Sequence, residues 1–599
     1  MTGYLLMGAA LVMGQAQADP AASIRVLTTA VPNAYGDPDR STPASMLPDS
    51  LPAMPAVPSK SSAATLPPPP PMIYPVISFS TPQGQNGSEQ KNAGNSAEKK
   101  NGDASVDKKD GDASTEKTGD TADQHNPDNW TRNILTPRRD SGGFFWRFYK
   151  AYYDEFFPKK DKDKENPEPE TPPAPRRGLP EPWPSPPFPG HEYQGYPLIG
   201  VPPESDVYPF MKALYGADTP CTDAIKDSRI KFSGWVTAAG TWSTATNTNV
   251  PASYWIVPNR YELDQLVFKL ERVPDTVQTD HMDYGFRFIG LYGMDYRYTT
   301  AGGWASDQLL KHNLLYGWDP TEVYINFYLP GFLDGTDIRI GRWIACPDIE
   351  TQYSVDNYLG SHSILFTYDT YTQTGIMVSQ KLDAQWMVQG VIHSGTDMAP
   401  WYKGSLLTGA AGVRWVSQDN NDAMYTWLNA INSAKFRHFE EYGQPLGHDN
   451  FNYVVTTWEH KFNEQVHTNT EAYYMWQRDA ELGGTPSAGP PKPFGGGGGD
   501  GMLLPGLSEA FGVLNYTMFG LTKNDYLTVR NEWWKDTRGM RSGFPGNYTS
   551  HTIGLSHNFN ALFQVRPEIG YYRNWDNQAF DLGKKNGIWI YGFDMTLRF

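Results

Sequence analysis

The last eleven residues alternate in character without a break. Trp589, Tyr591, Phe593, Met595, Leu597 and Phe599 fall on one side of an extended strand, and Ile590, Gly592, Asp594, Thr596 and Arg598 on the other. Side chains alternate faces along a strand, so one face here is wholly apolar and the other mostly small or polar. A soluble sandwich would turn the apolar face into its core. A membrane barrel would turn it to lipid and give the polar face to its lumen. One strand alone does not separate the two.

Recurrence does. From about residue 230 to the end the chain holds roughly sixteen alternating or apolar-aromatic runs. They lie near 230–245, 261–272, 283–298, 321–329, 336–345, 372–382, 385–395 and 408–417. The rest lie near 423–435, 451–462, 466–478, 508–520, 525–535, 549–559, 563–574 and 588–599. Their connections are short (330–335, 383–384, 418–422, 463–465, 523–524) and long (299–320, 347–371, 436–450, 480–507, 536–548) in turn. Sorting by parity is the asymmetry of outer-membrane barrels, with turns periplasmic and loops outside. A sandwich has no reason to sort its loops. A strand that stops on Phe599 with no polar tail also resembles the assembly signal of such barrels, and counting back from it puts both chain ends on the periplasmic side.

The fold expected is therefore all-β, a transmembrane antiparallel up-and-down barrel of about sixteen strands spanning 229–599. Composition agrees. Aromatic residues make up 14% of the chain, with 35 Tyr and 19 Trp, as interfacial girdles require. Hydrophobic content of 39% and the absence past the start of an apolar run long enough for a spanning helix do not count against a barrel, since only alternate residues meet lipid.

Before the barrel the reading is of separate segments. Residues 1–18 form a secretory signal peptide, with an apolar run from Tyr4 to Met13 and an Ala16-Gln17-Ala18 cleavage pattern. It departs from the usual pattern in having no Lys or Arg before that run. Residues 19–140, rich in Pro, Ser, Asp and Lys, have few residues that could form a core and read as disordered low-complexity sequence. In 141–158, Phe145, Phe148, Tyr149, Tyr152 and Phe156 share a helical face. That amphipathic helix either lies on the membrane interface or docks on the barrel's periplasmic mouth. Residues 159–228 form a Pro-rich periplasmic spacer. Cys221 and Cys346 fit an exported protein not stapled by disulfides, although pairing stays open. A net charge of −16 argues against a nucleic-acid partner.

Faces sort well in several runs. Tyr284, Phe286, Phe288, Tyr292, Met294 and Tyr296 oppose Gly285, Arg287, Gly293, Asp295 and Arg297. Val323, Ile325, Phe327 and Leu329 oppose Glu322, Tyr324, Asn326 and Tyr328. Phe563, Val565, Pro567, Ile569 and Tyr571 oppose Gln564, Arg566, Glu568, Gly570 and Tyr572. The charged sides belong in a wet lumen, because a Lys or Arg facing lipid costs about 2–4 kcal/mol near the midplane. The run 508–520 does not sort.

These residues carry a family resemblance. The segments 283–297, 337–342, 374–378, 529–536 and 565–569 resemble strands of the OmpL-like β-barrel porin family. The resemblance covers the barrel and not the N-terminal third. It implies an outer-membrane barrel acting as a porin, and it carries over no catalytic residue.

The segment 347–371 follows the fifth strand, where the loop of general porins folds inward. It is the constriction candidate, with Asp348, Glu350, Asp356 and Asp369, and no Lys or Arg occurs between Arg342 and Lys381. A loop of one sign inside a low-dielectric wall concentrates counter-ions. Pore-wall candidates are Arg287, Asp295, Arg530, Glu532, Arg566 and Glu568. The last four either form an opposite, basic wall or make a salt-bridge ladder within the wall. The loop acids could equally be solvated outside the barrel.

An outer-membrane enzyme would need a positioned nucleophile and base. His362 between Ser361 and Ser363, and His551 after Ser550, are poor pairs, because adjacent strand residues point apart. Gly495 to Gly499 lacks the following helix of a phosphate cradle, and no metal-ligand spacing or cofactor motif stands out. The function expected is a porin-like channel for passive diffusion of small hydrophilic solutes or ions, mildly cation-selective. The alternative is a structural or adhesive barrel tethered to the cell wall by its N-terminal extension. Expected partners are the lipid bilayer, the barrel-assembly machinery and small solutes, with a homotrimer among the assemblies such a barrel allows.

Overall fold

The computed structural model describes residues 142–158, 199–201, 208–252, 254–344, 348–403, 405–431, 451–484 and 502–599. The signal peptide, the low-complexity region, most of the spacer, Cys346, the Gly495 to Gly499 run and the whole of the loop 436–450 lie outside the described residues.

Among the described residues three helices precede the barrel: α1 (Phe144–Phe156), α2 (Pro209–Tyr215) and α3 (Pro220–Ser228). Thr219 opens α3 with a reciprocal capping box, its side chain accepting from Thr222 N at 3.1 Å. Cys221 within α3 is a free thiol. The strands follow: β1 (Ile230–Ser243), β2 (Arg260–Arg272), β3 (Asp283–Gly293), β4 (Gly317–Leu329), β5 (Thr336–Ile344), β6 (Thr372–Lys381), β7 (Trp386–His393) and β8 (Thr408–Val416). The second half holds β9 (Asp422–Ile431), β10 (Asn452–Lys461), β11 (Val466–Glu481), β12 (Leu503–Gly520), β13 (Asp525–Asp536), β14 (Gly546–Asn558), β15 (Phe563–Asn574) and β16 (Gly587–Arg598). Each strand pairs antiparallel with its sequence neighbours, and β1 pairs with β16 to close the ring. The sixteen strands expected are the sixteen observed.

The seam explains Phe599. Its backbone N–H donates to Gly234 O at 2.9 Å, and Gly234 N–H returns a bond to Phe599 O at 3.2 Å. The Phe599 ring turns outward, 5.8 Å from the Phe268 ring and 6.5 Å from that of Phe232. A Cβ on Gly234 would stand 2.1 Å from Val267 O and 2.5 Å from the Phe599 ring, so only glycine leaves this joint room to close.

Helix α1 docks at the short-turn end. Tyr152 donates to Arg598 O at 2.8 Å, Arg147 Nε donates to Ala213 O at 2.7 Å, and the Phe156 ring lies 6.3 Å from Phe563. Phe145, Trp146, Tyr149 and Tyr153 stay exposed on its other side.

Two sequence expectations change. The run 283–298 is a strand only to Gly293, which has a φ of 153° and no room for a side chain (a Cβ there would stand 2.0 Å from Asp264 O); Met294–Tyr298 continues as a 3-10 turn. Met294 and Tyr296 are therefore buried, not lipid-facing. The unsorted run 508–520 belongs to a longer strand starting at Leu503. Its inward side carries apolar Ala510, Leu514 and Met518, and its outward side carries Asn515 and Thr517. The interior there is packed, so polarity no longer reports which way a residue faces.

Candidate functional site

The long connection between β5 and β6 folds into the barrel. It contains a 3-10 turn (Ser354–Asp356) and a short helix, α5 in chain order after α4 (Asp307–Leu310), at Ile364–Tyr368. Asp348, Glu350 and Asp369 are buried and Asp356 is half-buried, so these carboxyls are not solvated on an external loop.

The loop is held by the wall it approaches. Glu568 on β15 accepts from Gly360 N at 3.1 Å and Ser361 N at 3.2 Å. Glu532 on β13 accepts from Ile364 N at 3.0 Å and Leu365 N at 2.5 Å, using the orphan amides at the start of α5. Ser363 caps the same helix, accepting from Phe366 N at 3.0 Å, and its hydroxyl donates to Glu350.

Arg530 on β13 donates to Ser361 O at 2.6 Å and to the hydroxyls of Tyr572 (2.7 Å) and Thr552 (3.0 Å). Its acid is Glu350, 3.5 Å away, whose other oxygen partners include Tyr516 Oη at 2.5 Å. Arg566 on β15 makes a two-pronged pair with Asp594 on β16 and donates to Asn357 O. The ion pairs formed are thus Arg530–Glu350 and Arg566–Asp594. Both sequence readings of the wall need correction. The four residues are not an opposite wall facing the loop across a gap, and they are not a ladder among themselves. Loop and wall form one cluster, because each buried charge needs a partner close by in a medium of low dielectric.

Arg287 and Asp295 stand apart from it. Arg287 bridges Glu271 (3.0 Å) and Glu322 (3.5 Å) on the strands either side, and Glu322 accepts from Tyr353 Oη of the loop at 3.0 Å. Asp295, in the 3-10 turn, accepts from Gln265 Nε2 at 2.8 Å.

Several residues that sequence reasoning missed hold the loop. Gln265 reaches Gln352 O at 2.6 Å and Ser354 N at 3.1 Å. Glu471 accepts from Ile349 N at 3.1 Å, and Arg541 donates to Tyr368 O (2.6 Å) and Asp369 O (2.8 Å). Arg598 donates to Val355 O at 3.0 Å, tying the closing strand to the loop. Asp594 was findable, since it faces Arg566 directly in the β15–β16 register. His362 stacks on Tyr254 (3.6 Å) and packs beside Phe366 (4.8 Å), and its Nε2 lies 2.8 Å from Thr351 O. Ser361 and Ser363 are engaged with Arg530 and Glu350 instead.

A closed antiparallel barrel of sixteen strands, with a largely apolar, aromatic outer wall and most of its charged strand residues turned inward around a folded-in loop, is an outer-membrane barrel of porin type. Residues 229–599 match the family described as "Putative beta-barrel porin-2, OmpL-like", and the chain belongs to that family. Among solved structures the chain is similar to OprB of Pseudomonas putida, 9% identical with a TM-score of 0.40 over 63% of this chain and 96% of that one. It is similar to the outer membrane channel DcaP of Acinetobacter baumannii, 10% identical, TM-score 0.38, over 62% and 97% of the two chains. An anion-selective porin from Comamonas acidovorans aligns at 8% identity and TM-score 0.38 over 62% and 99%. No curated protein matches the sequence.

Proposed function

We propose that the barrel lets small hydrophilic solutes or ions diffuse across the outer membrane, with a mild preference for cations, and that the loop 348–371 is its constriction. The observation that carries this reading is the folded-in loop, which brings Asp348, Glu350 and Asp369 into the barrel beside a wall that is itself rich in carboxyls. Among the described residues, buried carboxylates outnumber buried cations. Fixed negative charge inside low-dielectric walls raises the local cation concentration. In this reading the short-turn end and the N-terminal segments are periplasmic, the N-terminal extension reaches toward the cell wall, and Phe599 presents the last strand to the barrel-assembly machinery.

The test is the reversal potential of the full-length protein in planar bilayers under a salt gradient. Cation preference is expected; anion preference would sink the selectivity. The structural or adhesive reading draws support from the packed interior, where inward residues such as Trp427, Tyr453, Val455 and Met475 are buried. A well-folded barrel without conductance would favour it. Deleting Phe599 should lower the amount of assembled, heat-modifiable barrel while leaving unit conductance of the remainder unchanged.

A further inference from the structure

On most strands the outward side is a uniform apolar band. Trp386, Val388, Gly390 and Ile392 make it on β7, and Trp589, Tyr591, Phe593, Met595 and Leu597 on β16. Between β11 and β14 the band is interrupted. Thr470, Asn515, Asn531 and His551 all point outward and stand directly opposite one another across three successive strand pairs. Asn531 is six residues from Asp525 and five from Asp536, the two ends of its strand, so the interruption crosses the middle of the wall.

Polar groups facing hydrocarbon have no water to bond and must find partners in protein. Asn515 finds them: its amide donates to Thr470 Oγ1 at 2.8 Å and Thr468 Oγ1 at 2.9 Å, and its oxygen accepts from Thr517 Oγ1 at 3.1 Å. Asn531 and His551 satisfy only half of their capacity. His551 Nδ1 lies 2.9 Å from Asn531 Oδ1, a contact that fixes the proton on Nδ1. Left over, side by side and exposed, are the Asn531 amide N–H groups and the His551 Nε2 lone pair. Among the described residues neither has a partner. The pair sits in a shallow concavity of roughly 330 Å³, lined also by Val529, Ile553, Ile569 and Tyr571.

We propose that this face is where a second copy of the chain docks, wall to wall. A donor beside an acceptor is self-complementary under a twofold axis: each Asn531 amide donates to the His551 Nε2 of the other copy, and that copy returns the bond. Isologous contacts have this reciprocity, whereas a threefold ring would join two different patches. The geometry therefore points to a twofold pair in place of the homotrimer considered from sequence. The surrounding aliphatic and aromatic side chains supply the apolar contact that membrane interfaces need around a few polar bonds.

The full-length protein in detergent should have the mass of two copies by light scattering. The variant Asn531→Leu/His551→Leu, which restores an all-apolar wall, should have the mass of one, with unchanged heat-modifiable migration as proof of folding. In whole membranes, I553C, which lines the same concavity and leaves Asn531 and His551 in place, should give a doubled band with a short bifunctional thiol reagent in a C221S/C346S background, and I392C on the β7 wall should not. A wild type that is a single copy in both detergent and lipid nanodiscs overturns the proposal. So does any oligomer that persists in the leucine variant, the absence of the I553C cross-link, or a co-purifying lipid occupying this face in place of a second chain.

Discussion

Arg530 and Arg566 are both fully buried, both donate to a backbone carbonyl of the inward loop, and lie on strands separated by one. They are neutralised from different places. Arg566 has its acid within the wall, since Asp594 sits across the β15–β16 ladder. Arg530 has its acid on the loop, since Glu350 reaches it from the connection between β5 and β6. A shift of the loop would leave Arg566 compensated but would strip Arg530 of its carboxylate. Charge balance is thus a property of the barrel at one anchor and of the loop's position at the other. The loop is electrostatically latched at β13 and only hydrogen-bonded at β15.

The sharpest way to break this comparison is Arg530→Met. It leaves Glu350 buried without a cation and should cost about 3–5 kcal/mol, the usual result of removing one partner of a buried pair. Unit conductance should rise as the loop leaves the wall, read in single-channel records beside thermal unfolding of the barrel. Arg566→Met should lose similar stability through Asp594 yet change conductance far less, because its loop bond is one carbonyl. Equal conductance changes in the two variants would remove the distinction.

A double-mutant cycle sharpens it further. Arg530→Met with Glu350→Gln should recover about 1–3 kcal/mol relative to the sum of the single changes, whereas Arg566→Met with Glu350→Gln should be additive to within about 0.5 kcal/mol. Unfolding midpoints of the four chains would decide.

The smallest effect belongs to a carboxylate outside the strands that uses no cation among its bonds. Asp581, in the loop between β15 and β16, accepts from Asn247 N at 2.6 Å and Thr246 Oγ1 at 2.9 Å. Burial pushes its pKa up, but the combined hydrogen bonds from Asn247 and Thr246 outweigh it and hold the group at about 2. The folded state therefore favours the charged form. Its contribution is fully present above the ordinary aspartate pKa near 4 and is lost as pH falls through about 2. Asp581→Asn should destabilise the barrel by about 1 kcal/mol at neutral pH, and the gap to wild type should close near pH 2. A gap independent of pH would show that shape, not charge, holds these two loops together.

Much of this molecule was legible from the chain alone. Period-two alternation in 321–329, 563–574 and 588–599 located strands and faces, because those strands have lipid on one side and charged or polar side chains on the other. The parity of short and long connections gave the antiparallel order, because hairpin neighbours leave no other economical path. The anionic character of 347–371 needed only counting. The same rule failed at β12, where apolar Leu514 and Met518 face a packed interior while Asn515 and Thr517 break a largely apolar outer row, and at β3, where Gly293 converts strand to 3-10 turn.

What sequence could not decide was partnership. Glu350 and Arg530 are separated by more of the chain than lies in several strands, and only closure of the barrel brings the loop's acid beside that one guanidinium. The placement of Gln265, Glu471, Arg541 and Arg598 around the loop has the same origin. So does the alignment of Asn515, Asn531 and His551 on one level of the outer wall, which depends on register across three strands. Alternation is a local property of the backbone and is written in the residues themselves. Neutralising a buried charge is a three-dimensional requirement, met by whatever the fold carries within reach.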